Sequence, residues 1–309
     1  MAKITWLAAL GLPLHPAAAA DTLRDKIMER RAERQPASEE NRAGASGSFA
    51  LPSGATVETD IAYGSDPAQK LDLYRPAQAQ GAPLIFMVHG GGWRHGDKGM
   101  LRAVKNKVTY WVGKGYVLVS VNYRVLPQAR PVEQANDAAK ALAFVQSKAS
   151  SWGADPSKVV LMGHSAGAHL VSLMSADPSI ATRQGMSKSW LGTIAIDSAA
   201  FDVVKIMNAR HFRLYDEAFD KDPNYWREGS PTHRLTNKLA APMLAVCSSR
   251  RSDACVQAQT FADKAASLGG NRVSVMPIDL SHGELNDQLG TPGAYTTGVV
   301  AFLRSLGLP

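Results

Sequence analysis

Cysteine is almost missing: Cys247 and Cys255 are the only two in 309 residues. Two thiols cannot build a disulfide scaffold, and a zinc site would want further partners for them. The eight histidines are scattered, with no H-E-x-x-H among them, so no metal site is expected. Dense basic runs are missing as well. The net charge is +7, yet no run of basic residues is longer than the pairs Arg30-Arg31 and Arg250-Arg251, and no aromatic platform alternates with them. A solvated basic surface is expected, with no nucleic-acid partner. Long apolar runs are also lacking. The longest near the start, Ile4–Leu14, is interrupted by Pro13 and falls short of the roughly twenty residues that span a bilayer. With Lys3 before it and Ala18 and Ala20 ahead of Asp21, residues 1–20 read as a signal peptide cut after Ala20. The mature chain is then expected to be exported, periplasmic or secreted, with no membrane insertion.

What remains is a globular composition, 45% hydrophobic and 20% charged. Residues 21–50 are polar and lack an apolar face, so they read as an arm, and the folded domain is expected over 51–309. No repeat is visible, and nothing indicates an oligomeric state. Eight segments read as strands: Val57–Ala62, Leu71–Tyr74, Pro83–His89, Tyr116–Asn122, Lys158–Met162, Leu191–Ile196, Pro242–Cys247 and Val273–Ile278. Helical patterns lie between most of them, near Gly99–Gly113, Pro131–Trp152, Ala166–Ser175, Val256–Leu268 and Pro292–Leu306. That alternation implies a mainly parallel sheet with helices on both faces, and ligands that bind beyond the carboxyl ends of the strands. Residues 202–240 break the rhythm. They are too long for a connection and too apolar for a solvated loop, so a helical, cap-like insertion is expected there.

Chemistry concentrates in LMGHSAGAHLVSL, Leu161–Leu173. Glycines two places either side of Ser165 would weaken a helix, but they suit a crowded strand-to-helix corner that pushes a serine hydroxyl outward. The pattern recurs by chance, so other residues must support it. The strand Pro83–His89 runs into H-G-G-G-W, whose backbone N–H groups can face an oxyanion. Gly91 and Gly92 are the expected donors, with the N–H of Ala166. A serine needs a base, and the base needs an acid to orient it. His282, in DLSHGELND, is the only histidine beyond residue 233 and is the expected base, placed in the loop after the last strand. Asp253, in CSSRRSDACVQAQ, is the expected acid. Its rival Asp279 stands only three residues before His282, poorly placed to reach across to the ring and better suited to capping its own strand. Trp93, His164, Tyr215 and Trp226 are candidates for the pocket wall. Export into an oxidising compartment predicts a Cys247–Cys255 disulfide, closing a short loop around Asp253 and holding it in place.

Taken together, HGGGW, VNYRVLP at Val121–Pro127, DPSKVVLMGHSAG, and the order Ser165, Asp253, His282 resemble serine hydrolases of the α/β-hydrolase superfamily, near its carboxylesterase, hormone-sensitive-lipase-like and arylformamidase groups. The likeness covers roughly residues 60–306. It implies an α/β-hydrolase fold: a mainly parallel eight-stranded sheet with helices on both faces, the first strands antiparallel, and a short helical insertion after the sixth strand. It also implies ester or amide hydrolysis through an acyl-enzyme, without metal or organic cofactor. Two departures stand out. Cys247-Ser248 replaces the H-G usual in the acid loop, with the aspartate two residues late, and Asn122-Tyr123-Arg124 replaces D-Y-R. The expectation is an exported serine carboxylesterase for small-molecule esters with short acyl or aryl groups. An arylformamidase-like amide hydrolase is disfavoured by export, and a non-catalytic binding module by the intact set of residues.

Overall fold

Side chains alternate across the third strand, β3 (Ala82–Val88), so that Leu84, Phe86 and Val88 enter one apolar layer while Ile85 and Met87 enter the other. Burial on both faces is what a parallel central strand requires. The computed structural model describes residues 48–270 and 272–309. The expected signal peptide and nearly all of the polar arm lie outside the described residues.

The other strands are β1 (Thr56–Ala62), β2 (Lys70–Arg75), β4 (Val117–Val121), β5 (Ala154–His164), β6 (Gly192–Ile196), β7 (Met243–Ser248) and β8 (Val273–Ile278). They form one eight-stranded sheet in the order β1-β2-β4-β3-β5-β6-β7-β8. The pairs β1–β2 and β2–β4 are antiparallel, and all later pairs are parallel. Each expected strand overlaps an observed one.

Helices α1 (Leu101–Trp111) and α11 (Ala294–Ser305) cover the face carrying Ile85, Met162 and Val246. Helices α2 (Pro131–Lys148), α3 (Ala166–Ala176) and α4 (Ser179–Arg183) cover the face carrying Leu84, Phe86 and Leu161. Residues 203–234 hold four short helices, α5 (Val203–Met207), α6 (Arg213–Phe219), α7 (Pro223–Glu228) and α8 (Pro231–Arg234). Their buried aromatics Tyr215, Phe219 and Tyr225 join the main core beside Trp93. Helix α9 (Ala254–Ser267) follows β7, and Cys247 near the end of β7 is disulfide-bonded to Cys255 in its first turn. Among the described residues, no helix is long and apolar enough to cross a membrane.

One expected loop is helical. His282 opens α10 (His282–Gln288) rather than lying in a loop. Ser281 and Glu284 form a reciprocal capping box at its start, the S-x-x-E signature of a helix N-terminus. Because β3, β5, β6, β7 and β8 run parallel, the segments that follow them emerge at one edge of the sheet. HGGGW, Ser165, Asp197, the Ser248–Asp253 turn and His282 therefore gather there.

Candidate active site

Ser165 occupies the corner between β5 and α3 with φ 54° and ψ −119°, a backbone conformation that side-chain-bearing residues rarely adopt. Its neighbours allow the corner. A Cβ on Gly163 would sit 2.3 Å from the Gly167 carbonyl oxygen, and one on Gly167 would sit 2.2 Å from that of Val88. The Ser165 N–H donates to the Ile196 carbonyl at 2.9 Å, tying the corner to the end of β6.

His282 reaches the serine from α10, with Nε2 3.0 Å from Ser165 Oγ. Its Nδ1 lies 2.6 Å from Oδ2 of Asp197, the residue just beyond β6. A carboxylate only accepts, so Nδ1 carries a proton and Nε2 is left to accept from the serine. Asp197 has φ 54°, and its side chain is fully buried. Its Oδ1 accepts the Ser248 N–H at 2.8 Å. Burial pushes the carboxyl pKa up. The His282 hydrogen bond, the Arg251 charge and the Ser248 N–H outweigh burial and hold it well below the usual carboxylate range.

Asp253, the expected acid, is not on the ring. It stands at the N-cap of α9 with its side chain 49% exposed, 3.8 Å from Arg251. The cause is local. The disulfide and the immediate start of α9 shorten the turn after β7, so Asp253 faces outward and Arg251 faces in. Arg251 Nη1 lies 2.8 Å from Asp197 Oδ2 and 3.0 Å from His282 Nδ1. The disulfide loop thus delivers an arginine where an acid was expected. Asp279, the rival, does not cap its strand but pairs on the surface with Arg250 at 2.8 Å.

The glycine loop lies against the serine: a Cβ on Gly90 would come within 3.0 Å of Ser165 Cβ. Gly91 (φ 123°) and Gly92 (φ 57°) sit in a tight turn in which Arg94 and His95 both donate to the Gly91 carbonyl. No described backbone carbonyl accepts from the N–H of Gly91, Gly92 or Ala166. The VNYR stretch braces this loop. Tyr123 stacks on the His89 ring and donates to the His89 carbonyl at 2.9 Å, and Arg124 grips Asp137 at 2.8 and 2.7 Å.

The four pocket candidates divide. His164 is buried and donates from Nε2 to the His282 carbonyl at 3.0 Å, bracing the ring from the end of β5. Burial holds its pKa well below normal, so it stays neutral. Trp93 is buried and donates to His169 Nδ1 at 3.1 Å, while His169 donates to the Gly229 carbonyl at 2.7 Å. This chain, which sequence reading missed, joins the glycine loop, α3 and the 203–234 segment. Burial lowers the His169 pKa to about 4, keeping it a neutral link. Tyr215 packs on Trp93 and Phe219. Trp226 donates from its indole to the Asp220 carbonyl at 2.9 Å, inside its own helical segment. Among the described residues, no group of three or more His, Cys, Asp or Glu is arranged to hold a metal.

The BD-FAE family model matches residues 71–207, which include Ser165 and Asp197. The chain is 27% identical over 248 residues to isoprenylcysteine alpha-carbonyl methylesterase ICME of Arabidopsis thaliana, covering 74% of this chain and 57% of that protein. It is also 27% identical to esterase LipC of Mycobacterium tuberculosis (strain ATCC 25618 / H37Rv), covering 71% and 57%. It thus spans just over half the length of these relatives. Esterase B of Lactobacillus rhamnosis superposes with a TM-score of 0.70 at 20% identity, covering 91% of this chain and 94% of that one. Butyrate-bound esterase 2 of Thermogutta terrifontis gives 0.64 at 24% identity, covering 82% and 95%. With the sheet order and the serine corner already described, these likenesses give the chain the α/β-hydrolase fold, and the relatives it is similar to are named as esterases.

Proposed function

We propose that the protein is an exported serine carboxylesterase acting on esters of short acyl or aryl groups. The observation that carries the reading is the continuous chain Ser165–His282–Asp197, with contacts of 3.0 and 2.6 Å. In acylation, Ser165 Oγ bonds to the ester carbonyl carbon as its proton passes to His282 Nε2. The carbonyl oxygen takes the negative charge, and the N–H groups of Gly91, Gly92 and Ala166 are the proposed donors that hold it. The tetrahedral intermediate collapses by breaking the bond to the alcohol oxygen, which receives the proton from Nε2. Water then attacks the acyl-serine by the same route, returning the proton to Ser165 and releasing the acid. Asp197 stays ionised throughout, fixing the tautomer and stabilising the imidazolium.

Small substrates are supported by the way the 203–234 helices pack on the glycine loop. Arg94 of the glycine loop is ion-paired with Glu217 on α6, which ties the 203–234 helices down beside Trp93. The same segment exposes Arg213, Asp216 and Lys221, a surface unlike the greasy lid of an enzyme working at an oil interface. The butyrate held by the Thermogutta esterase is consistent with a small acyl site in this fold. On p-nitrophenyl esters, kcat/KM is expected to peak at about two to four acyl carbons and to fall at least about tenfold by twelve, as unaccommodated methylenes forfeit binding. A peak at about eight or more would point to a lipase instead.

Export is supported by the disulfide, which suits an oxidising compartment. Intact mass of the natively produced protein is expected to show a chain starting at Asp21, whose cysteines take up alkylating reagent only after reduction. A chain retaining residues 1–20 with freely alkylated thiols would rule export out.

A further inference from the structure

The turn after β7 presents a cation to the very nitrogen that Asp197 holds. Arg251 Nη1 and His282 Nδ1 both donate to Asp197 Oδ2, at 2.8 and 2.6 Å, and the two nitrogens are only 3.0 Å apart. Two donors at that distance repel, and the shared carboxylate oxygen is what keeps them together. With Ser248 N–H on Oδ1, the carboxylate has donors on both oxygens and cannot rotate away from the ring. The arginine is itself held. Its turn is closed by the Cys247–Cys255 bond, its N–H donates to the Ser248 carbonyl, and its side chain is only 25% exposed.

Resting on the proposed Ser165–His282–Asp197 mechanism, we infer that Arg251 is a positioning residue that locks Asp197 against His282 and, as a like charge beside the imidazole, keeps the ring unprotonated and able to act as a base at lower pH. Other titratable groups face the ring from other elements. His164 at the end of β5 is neutral through burial, Lys107 on α1 reaches the Asn286 carbonyl at the far end of α10, and Arg102 on α1 lines the crevice beside His282. On α10 itself, Glu284 is paired with Arg250. Of these groups, Arg251 is the cation in contact with Nδ1.

The sign follows directly. Removing a neighbouring like charge favours the imidazolium, so the base is lost at a higher pH and the acid limb of kcat/KM moves up. Three variants separate charge from contact: Arg251→Lys keeps the charge, Arg251→Gln keeps a donor, and Arg251→Met keeps neither. In pH profiles on p-nitrophenyl acetate, Met and Gln are expected to raise the acid limb by about one pH unit, with Lys close to the parent. At the optimum, Met is expected to lower kcat about tenfold with KM within about twofold, because an orienting contact, not substrate binding, is lost. An acid limb unmoved in both Met and Gln would overturn the inference, as would a raised KM at unchanged kcat, which would make Arg251 a substrate contact. Fluorophosphonate labelling of the parent separates this from failure of the mechanism itself. If the parent labels at Ser165 and the profiles do not shift, the role of Arg251 alone is lost; an unlabelled parent overturns the mechanism, and this inference with it.

Discussion

Replacing Asp197 by asparagine is expected to lower kcat by about ten-thousandfold on an aryl acetate, the scale seen when the orienting carboxylate of such a triad becomes an amide. The amide offers a donor as readily as an acceptor, so His282 no longer has a single preferred tautomer, and the imidazolium loses its counter-charge. Here the loss is compounded, because Arg251 would face a neutral amide in a site built to pair it with an anion. The matching substitution Asp253→Asn is expected to change kcat by no more than about twofold, since exposed positions of this kind shift free energies by about 0.5 kcal/mol or less. Asp253 is exposed, with its carboxylate 3.8 Å from Nη2 of Arg251. Parallel steady-state assays decide between the two aspartates. A large loss at 253 with little at 197 would return the acid to the turn after β7.

Ser165→Ala and His282→Ala are each expected to cost about a millionfold in kcat, and the double variant no more than either alone, because nucleophile and base act as one unit. The residual rate would come from the glycine loop and from binding. Melting temperature should stay within a few degrees for Ser165→Ala. The strained corner at φ 54° is unchanged by that substitution, and the Ser165 backbone bond to Ile196 remains. Either single variant keeping activity within about tenfold of the parent would remove that residue from the mechanism.

Much of this was legible in the sequence, for identifiable reasons. Central strands such as β3 and β5 are continuous apolar runs because both their faces are covered, and such runs need no knowledge of the partner strand. Ser165 announces itself because the backbone crowding at Gly163 and Gly167 leaves a mark in the sequence. His282 followed from its place after the last strand, although the SHGE capping box, which marks it as the first residue of a helix, was passed over. The acid was harder. Strands β6 and β7 end at the same sheet edge, so residues after either one are near the ring, and local sequence does not say which side chain turns inward. A clue existed in AIDSAA: Asp197 directly follows a buried strand, where a carboxylate is costly unless it is used. Likewise, the aromatics of 203–234 are spaced for a core, but which core they join depends on Trp93 and His169, far away in the chain.

The central claim is that Ser165 is an activated nucleophile. Its most direct test is to incubate the native protein with a fluorophosphonate probe, then measure intact mass and map the adduct by peptide sequencing. One phosphonyl group per chain is expected, on the hydroxyl of Ser165, abolished in His282→Ala and sharply slowed in Asp197→Asn. A protein that stays unlabelled, or that carries the adduct on another residue, would contradict the account.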